Sequence, residues 1–224
     1  MSSFLYPSLT GTPSEPLDRS GGTTTLVLEL AETVHATWAD ADAADMASVA
    51  ANHDALSAAA TLIADASTSG GRVLVMGNGG SACDGDRLVR LLRSIRPTPV
   101  PARSLLDPAI VSALANDVGA ARLFSRQVET YARTGDVVVV FTTSGASANV
   151  IEAVVAARRV GASTIAFAGC NGGLLRTHTD IDVCVVVESS SVHRIQETQG
   201  ALVDALVELL VDLLATGPNH EVRR

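Results

Sequence analysis

Five apolar residues, Val137 to Phe141, run into three consecutive hydroxyl side chains, Thr142, Thr143 and Ser144, and then into Gly145. Ser147 and Asn149 follow and open a stretch of helical periodicity. A strand that stops at a hydroxyl-rich turn and feeds a helix brings three kinds of donor to one point. These are backbone N–H groups, the positive end of the helix dipole and short Ser/Thr hydroxyls, which together make an anion site. The loop carries no lysine or arginine, so it resembles neither a Walker P-loop nor a basic nucleic-acid surface. It suits a small phosphate ester held by neutral donors.

A second loop repeats this architecture. Gly77-Asn78-Gly79-Gly80-Ser81 ends an earlier apolar run, and glycine there lets backbone approach a ligand closely. It is not a dinucleotide fingerprint, because Ala82 stands at the last glycine position and no ribose-binding acid follows at the required spacing. Two such loops at the carboxyl ends of parallel strands make a binding cleft, since open α/β sheets take ligands at that edge.

The elements that must position these loops alternate along the chain. A helical region in two pieces is expected over 23–67, carrying Leu26, Leu28, Leu30, Val34 and Trp38, then a break at Asp40–Asp45, then Met46, Val49, Leu56, Ala60 and Leu62. Strands are expected at 72–77, 100–103, 136–142, 163–168 and 182–187. Helices are expected at 81–94, 108–116, 120–132, 148–160 and 192–214. Strands alternating with helices at this spacing imply a parallel, doubly wound α/β sheet covered on both faces. The domain plan is an N-terminal arm over 1–22, one domain over 23–216 and a tail over 217–224. Within that domain, 23–68 is a helical addition and 69–216 the α/β core.

Composition bounds the partners. A chain of 224 residues with 47% hydrophobic content can bury one large core, built from Ala, Val and Leu because aromatics are 3%. A net charge of −8 repels nucleic-acid phosphates, and no apolar run approaches the roughly 20 residues that cross a bilayer. Met1–Gly22 has neither the basic nor the apolar region of a signal peptide. Cys83, Cys170 and Cys184 lack CxxC spacing, so a reducing, cytoplasmic compartment is expected. Arg87, Arg90, Arg93 and Arg96 recur every three residues, with Arg103 beyond them; the stripe is either a solvated face or a border of the cleft.

Four motifs in order carry a family resemblance: Gly77-Asn78-Gly79-Gly80-Ser81, Ala115-Asn116-Asp117, Thr143-Ser144-Gly145-Ala146-Ser147-Ala148-Asn149 and Arg194-Ile195-Gln196-Glu197. The sequence resembles the phosphoheptose isomerase group of SIS (sugar isomerase) domains over about residues 30 to 214. The resemblance implies a five-stranded parallel sheet sandwiched by helices, a homotetramer or homodimer, and active sites at subunit interfaces. It places phosphate on Thr142, Thr143, Ser144 and Ser147. It places the sugar near Asn78, Gly79, Ser81, Asn116, Asp117 and Gln196.

The proton-moving part of the resemblance is rewritten. Similar enzymes isomerise sedoheptulose 7-phosphate through an enediol and hold zinc on a His, a Glu, a Gln and a second His. Those positions read Arg87, Leu91, Gln196 and Asp204 here, so no zinc is expected and Arg87 is expected to pair with Asp204. An aldose–ketose isomerase still needs an acid and a base; the candidates are Asp84, His193 and Glu197, with Asp86 beside the first. His35, His53, His178 and His220 have no ligand spacing. The functional expectation is a zinc-free phosphosugar isomerase. The alternatives are a non-catalytic phosphosugar-binding or adaptor protein, or an aldolase-like or epimerase activity on the same scaffold.

Overall fold

Runs of β-branched residues set the centre of the molecule. The computed structural model describes residues 23–216, with side chains omitted at 23–30, 35, 36, 38 and 40; the expected arm, tail and His220 lie outside the described residues. Strands β1 (Val73–Gly77), β2 (Ala102–Ser104), β3 (Val137–Thr142), β4 (Ser163–Ala168) and β5 (Val183–Val186) form one sheet, ordered β2-β1-β3-β4-β5. All pairs are parallel, with Val73 beside Val137 and Phe141 beside Phe167. β1 and β3 are buried throughout, which is why they read as continuous apolar runs rather than alternating ones.

Alternate side chains feed two cores. Val73, Val75, Val139, Phe141 and Phe167 face one layer, made by α2 (His53–Thr68), α3 (Gly80–Ser94) and the long α7 (Val192–Thr216). Leu74, Met76, Val138 and Val140 face the other, covered by α5 (Leu123–Tyr131) and α6 (Ala148–Val160), with α4 (Pro108–Asp117) packed on α5. Phe141 and Phe167 stack at 4.7 Å between ring centroids, a consequence of their adjacent register.

The N-terminal helices differ from expectation. Helix α1 (Thr23–Ala51) runs without interruption through Asp40–Asp45, and the break falls at Asn52. Three alanines among those residues keep helix propensity high, and Asp45 accepts a hydrogen bond from the Thr198 hydroxyl at 2.5 Å. Asn52 earns its position as a break by capping the exposed edge of the sheet. Its amide donates to the Val186 carbonyl at 2.9 Å and accepts from the Val186 N–H at 2.8 Å. The helix expected over 120–132 is split into a 3-10 turn, Ala120–Arg122, and α5.

The strand order also fixes where a ligand belongs. β1 connects towards β2 and β3 connects towards β4, on opposite sides, so the chain reverses direction between β1 and β3. A crevice opens there at the carboxyl edge.

Candidate functional site

Both loops singled out in the sequence meet at this crevice. Asn78 follows β1, Asn149 lies in the first turn of α6, and their side-chain amides exchange two hydrogen bonds of 2.9 Å. That reciprocal pair bridges the switch point. Asn149 was part of the motif, yet its role as the other half of the bridge was not anticipated.

The loop after β3 divides its hydroxyls between support and display. Thr142 is 3% exposed, and its hydroxyl accepts from the Gly145 N–H at 3.2 Å, so it shapes the loop from beneath. Ser144 Oγ accepts from the Ala146 N–H at 3.3 Å. Thr143, Ser144 and Ser147 are partly exposed. Ser147 is the N-cap of α6 but makes no side-chain cap bond, leaving a hydroxyl beside the first N–H groups of the helix, which have no intrahelical acceptor. Gly145 is at φ 63°, and a β-carbon there would fall 2.0 Å from the Gly172 carbonyl. The loop after β4 therefore holds the turn from outside.

Helix α7 closes the crevice from the other side. A β-carbon at Gly80 would lie 2.0 Å from Gln196 Nε2, so the Gln196 amide rests directly on the start of α3. One turn further, Gln199 is fully buried. Its Nε2 donates to the Thr142 carbonyl at 3.2 Å, and its Oε1 has no protein partner. Gln199 was missed in the sequence; its spacing of three residues from Gln196 is the signal that places both on one helical face.

Charged groups gather where α3 and α7 run side by side. Arg87 Nη2 donates to both carboxylate oxygens of Asp204, at 2.6 and 2.5 Å, the pairing expected from their opposite charges. Their side chains are 44% and 47% exposed, so the pair is a modest contributor to stability. Asp84, one turn closer to the crevice, has a buried Oδ2 with no protein partner. Burial pushes its carboxyl up to about 6, against the opposing pull of the Arg87 charge.

These groups do not fit a zinc ion. Guanidinium stays charged and offers no lone pair, Leu91 is hydrocarbon, and the one carboxylate is already engaged by Arg87. Gln196 alone remains, as a neutral amide.

The other expected site residues take separate places. Glu197 is paired with Arg194 at 2.8 Å on the exposed side of α7, and His193 is exposed at the start of the same helix. Ser81 is buried at the first turn of α3. Asn116 donates to Asp117 at 2.9 Å, and both are exposed at the far end of α4. Ser81 belongs to the loop after β1, whereas within one chain Asn116, Asp117 and Glu197 make their side-chain contacts away from the two loops. A cleft of about 390 Å³ adjoins the crevice at Asn78 and Gly79 and continues between Cys83, Asp86, Val111 and Phe124. It follows the flank of α3 that bears Ala82 and Asp86, whereas Asp84, Arg87 and Leu91 lie on the flank towards α7, as about 100° per residue requires. The polar groups converge on the crevice, so the chemistry is placed there. Of the arginine stripe, Arg96 caps the carbonyls of Arg93, Ser94 and Ile95, and Arg103 lies 4.0 Å over the Tyr131 ring. Arg90 and Arg93 are exposed. Neither these nor Arg96 and Arg103 line the cleft.

Comparison with known proteins agrees with this geometry. Residues 37–169 match the SIS domain model. The chain is 40% identical to the phosphoheptose isomerase of Chlorobaculum parvum over 167 residues, which is 72% of this chain and 79% of that protein. It is likewise 40% identical to the phosphoheptose isomerase of an Escherichia coli O139:H28 strain, over 71% of this chain and 84% of the relative. The solved phosphoheptose isomerase from Neisseria gonorrhoeae superposes with a TM-score of 0.74 at 34% identity, covering 82% of this chain and 98% of that one.

Proposed function

This chain belongs to the phosphoheptose isomerases of the SIS-domain family, and from that premise we propose that it interconverts a ketose phosphate of the sedoheptulose 7-phosphate type and its aldose without zinc. The observation that carries the proposal is the crevice itself. The neutral, hydroxyl-lined phosphate loop after β3 lies at the same carboxyl edge as the start of α3, which carries a half-buried carboxyl whose Oδ2 has no protein partner, followed one turn later by a cation.

The phosphate of the substrate is held by Thr143, Ser144 and Ser147 with the opening N–H groups of α6, while Thr142 keeps the loop in shape. Asn78, Gly79 and Gln196 face the sugar hydroxyls, with Ser81 buried beneath them in the first turn of α3. Asp84 is the proton carrier. Its ionised form takes the proton from the carbon next to the carbonyl and returns it to the neighbouring carbon. A carboxyl tuned towards neutrality is suited to both steps. Glu197, held by Arg194, and His193 at the start of α7 are left as the remaining acid and base candidates. The protein works as a homotetramer or homodimer in the cytoplasm, and the exposed Asn116–Asp117 pair reaches the sugar from a neighbouring copy. Apolar side chains left open on α1 and α7, Met46 at 75% and Leu213 at 40% exposure, support association.

The test is solvent exchange. Sedoheptulose 7-phosphate incubated with the protein in deuterated buffer should gain deuterium at C1, with an aldose phosphate appearing alongside, both followed by NMR. Tight binding with neither product nor exchange would instead establish a sugar-phosphate binding protein.

A further inference from the structure

An enediol mechanism builds negative charge on the carbonyl oxygen, and something must meet it. The ion pair between α3 and α7 is built to do so. Arg87 commits a single nitrogen, Nη2, to both oxygens of Asp204. Its Nε–H and Nη1–H have no acceptor among the described residues. A guanidinium is planar and permanently charged, so a fork anchored at one corner still presents fixed donors at the others.

Its placement fits that role. In a helix the Cα–Cβ bond is tilted towards the N-terminus, which on α3 is the crevice end, while the Arg87 guanidinium is anchored at Asp204, two turns along the seam. Gln196 marks that end by resting on Gly80. Asp84, the proton carrier of the reading above, stands between the two, one turn before Arg87. A cation, a proton carrier and an amide thus follow one another along the α3–α7 seam, opposite the phosphate loop.

We propose that Arg87 is the catalytic electrophile of this enzyme, its free guanidinium N–H groups binding the carbonyl oxygen as it becomes an enediolate, and that Asp204 is the positioning residue that aims it. The proposal rests on the isomerase reading and deepens it. In the ketose-to-aldose direction, the C1–H bond breaks and its proton passes to Asp84. The electron pair forms the C1–C2 double bond, and the carbonyl π pair moves onto O2, where Arg87 holds it. The proton then returns to C2, O2 takes up the proton that O1 releases, and C1 becomes the aldehyde. The step is a rearrangement within one molecule and needs no oxidant or reductant.

The competing role is a clamp between helices, and a charge swap separates the two. Arg87→Met should lower kcat on sedoheptulose 7-phosphate by roughly 100-fold or more with little change in KM, the size seen when one oxyanion donor is lost. Free guanidinium ion added to Arg87→Ala should restore part of that rate. The double variant Arg87→Asp/Asp204→Arg should regain the thermal midpoint of the parent but not its turnover. Asp204→Asn should lower kcat, and Asp204→Glu should recover it. If the swapped variant turns over at the parental rate, or Arg87→Met keeps its kcat, Arg87 is only a clamp and the proposal fails while the isomerase reading stands. If the unaltered protein turns over no ketose phosphate, the isomerase reading fails and takes this one with it.

Discussion

With Asp84 as the proposed proton carrier, its titration is where the chemistry is most sharply tested. Its carboxyl is raised to about 6 by burial, with Arg87 pulling the other way. Because the folded value lies above the unfolded value of 3.8, the folded state binds the extra proton between those limits. Stability should therefore fall as pH climbs from about 4 to about 6 and stay at the lower level above, and Asp84→Asn should remove that dependence in thermal melts. Activity has the opposite sign. The base must be ionised, so kcat/KM should rise about tenfold per pH unit below about 6 and level off above it, with Asp84→Asn both slow and flat. Ser147 gives a second residue-scale expectation. A hydroxyl bonded to a charged phosphate contributes about 1.5–3 kcal/mol, so Ser147→Ala should weaken sugar-phosphate binding by roughly 10- to 100-fold in calorimetry. Binding of the unphosphorylated sugar should be little affected.

At the scale of elements, the phosphate loop depends on its neighbours more than on its own sequence. Gly145 sits at positive φ with the Gly172 carbonyl occupying the space of a side chain. Gly145→Ala should push the two loops apart and cost about 2 kcal/mol, visible as a lower thermal midpoint together with lost phosphate affinity. How much of this was legible in the sequence varies by element. β3, its loop and α6 were readable because the apolar run, the hydroxyls and the helical periodicity are all local signals. The two glycine-bearing loops and Gln196 were readable as motifs. The break at Asn52 was not, because Asn52 is needed by Val186, which lies 134 residues away. Gln199 could have been placed beside Gln196 by its spacing, but its partner, the Thr142 carbonyl 57 residues away, could not. Thr142 looked like one more phosphate hydroxyl, and burial made it a brace.

At the scale of the whole molecule, an acidic protein takes an anionic substrate. A net charge of −8 gives no long-range attraction to a sugar phosphate, so affinity must come from donors fixed at short range, as at the carboxyl edge between β1 and β3. The parallel order of the sheet places the N-termini of α3 and α6 at that edge, while α7 lays Gln196 on the start of α3 and Gln199 on the base of the loop after β3. Three of the four seam side chains, Arg87, Gln196 and Asp204, belong to neither core, whereas Leu91 packs against the core beneath α3 and α7. On the proposal made above, the Arg87–Asp204 pair does without a metal what similar enzymes would need one for. The most direct test is the rate of sedoheptulose 7-phosphate isomerisation after exhaustive chelation, compared with the same protein reloaded with zinc. Equal rates are expected, with a zinc content far below one ion per chain. Loss of activity on chelation, with full recovery on stoichiometric zinc, would contradict the proposal.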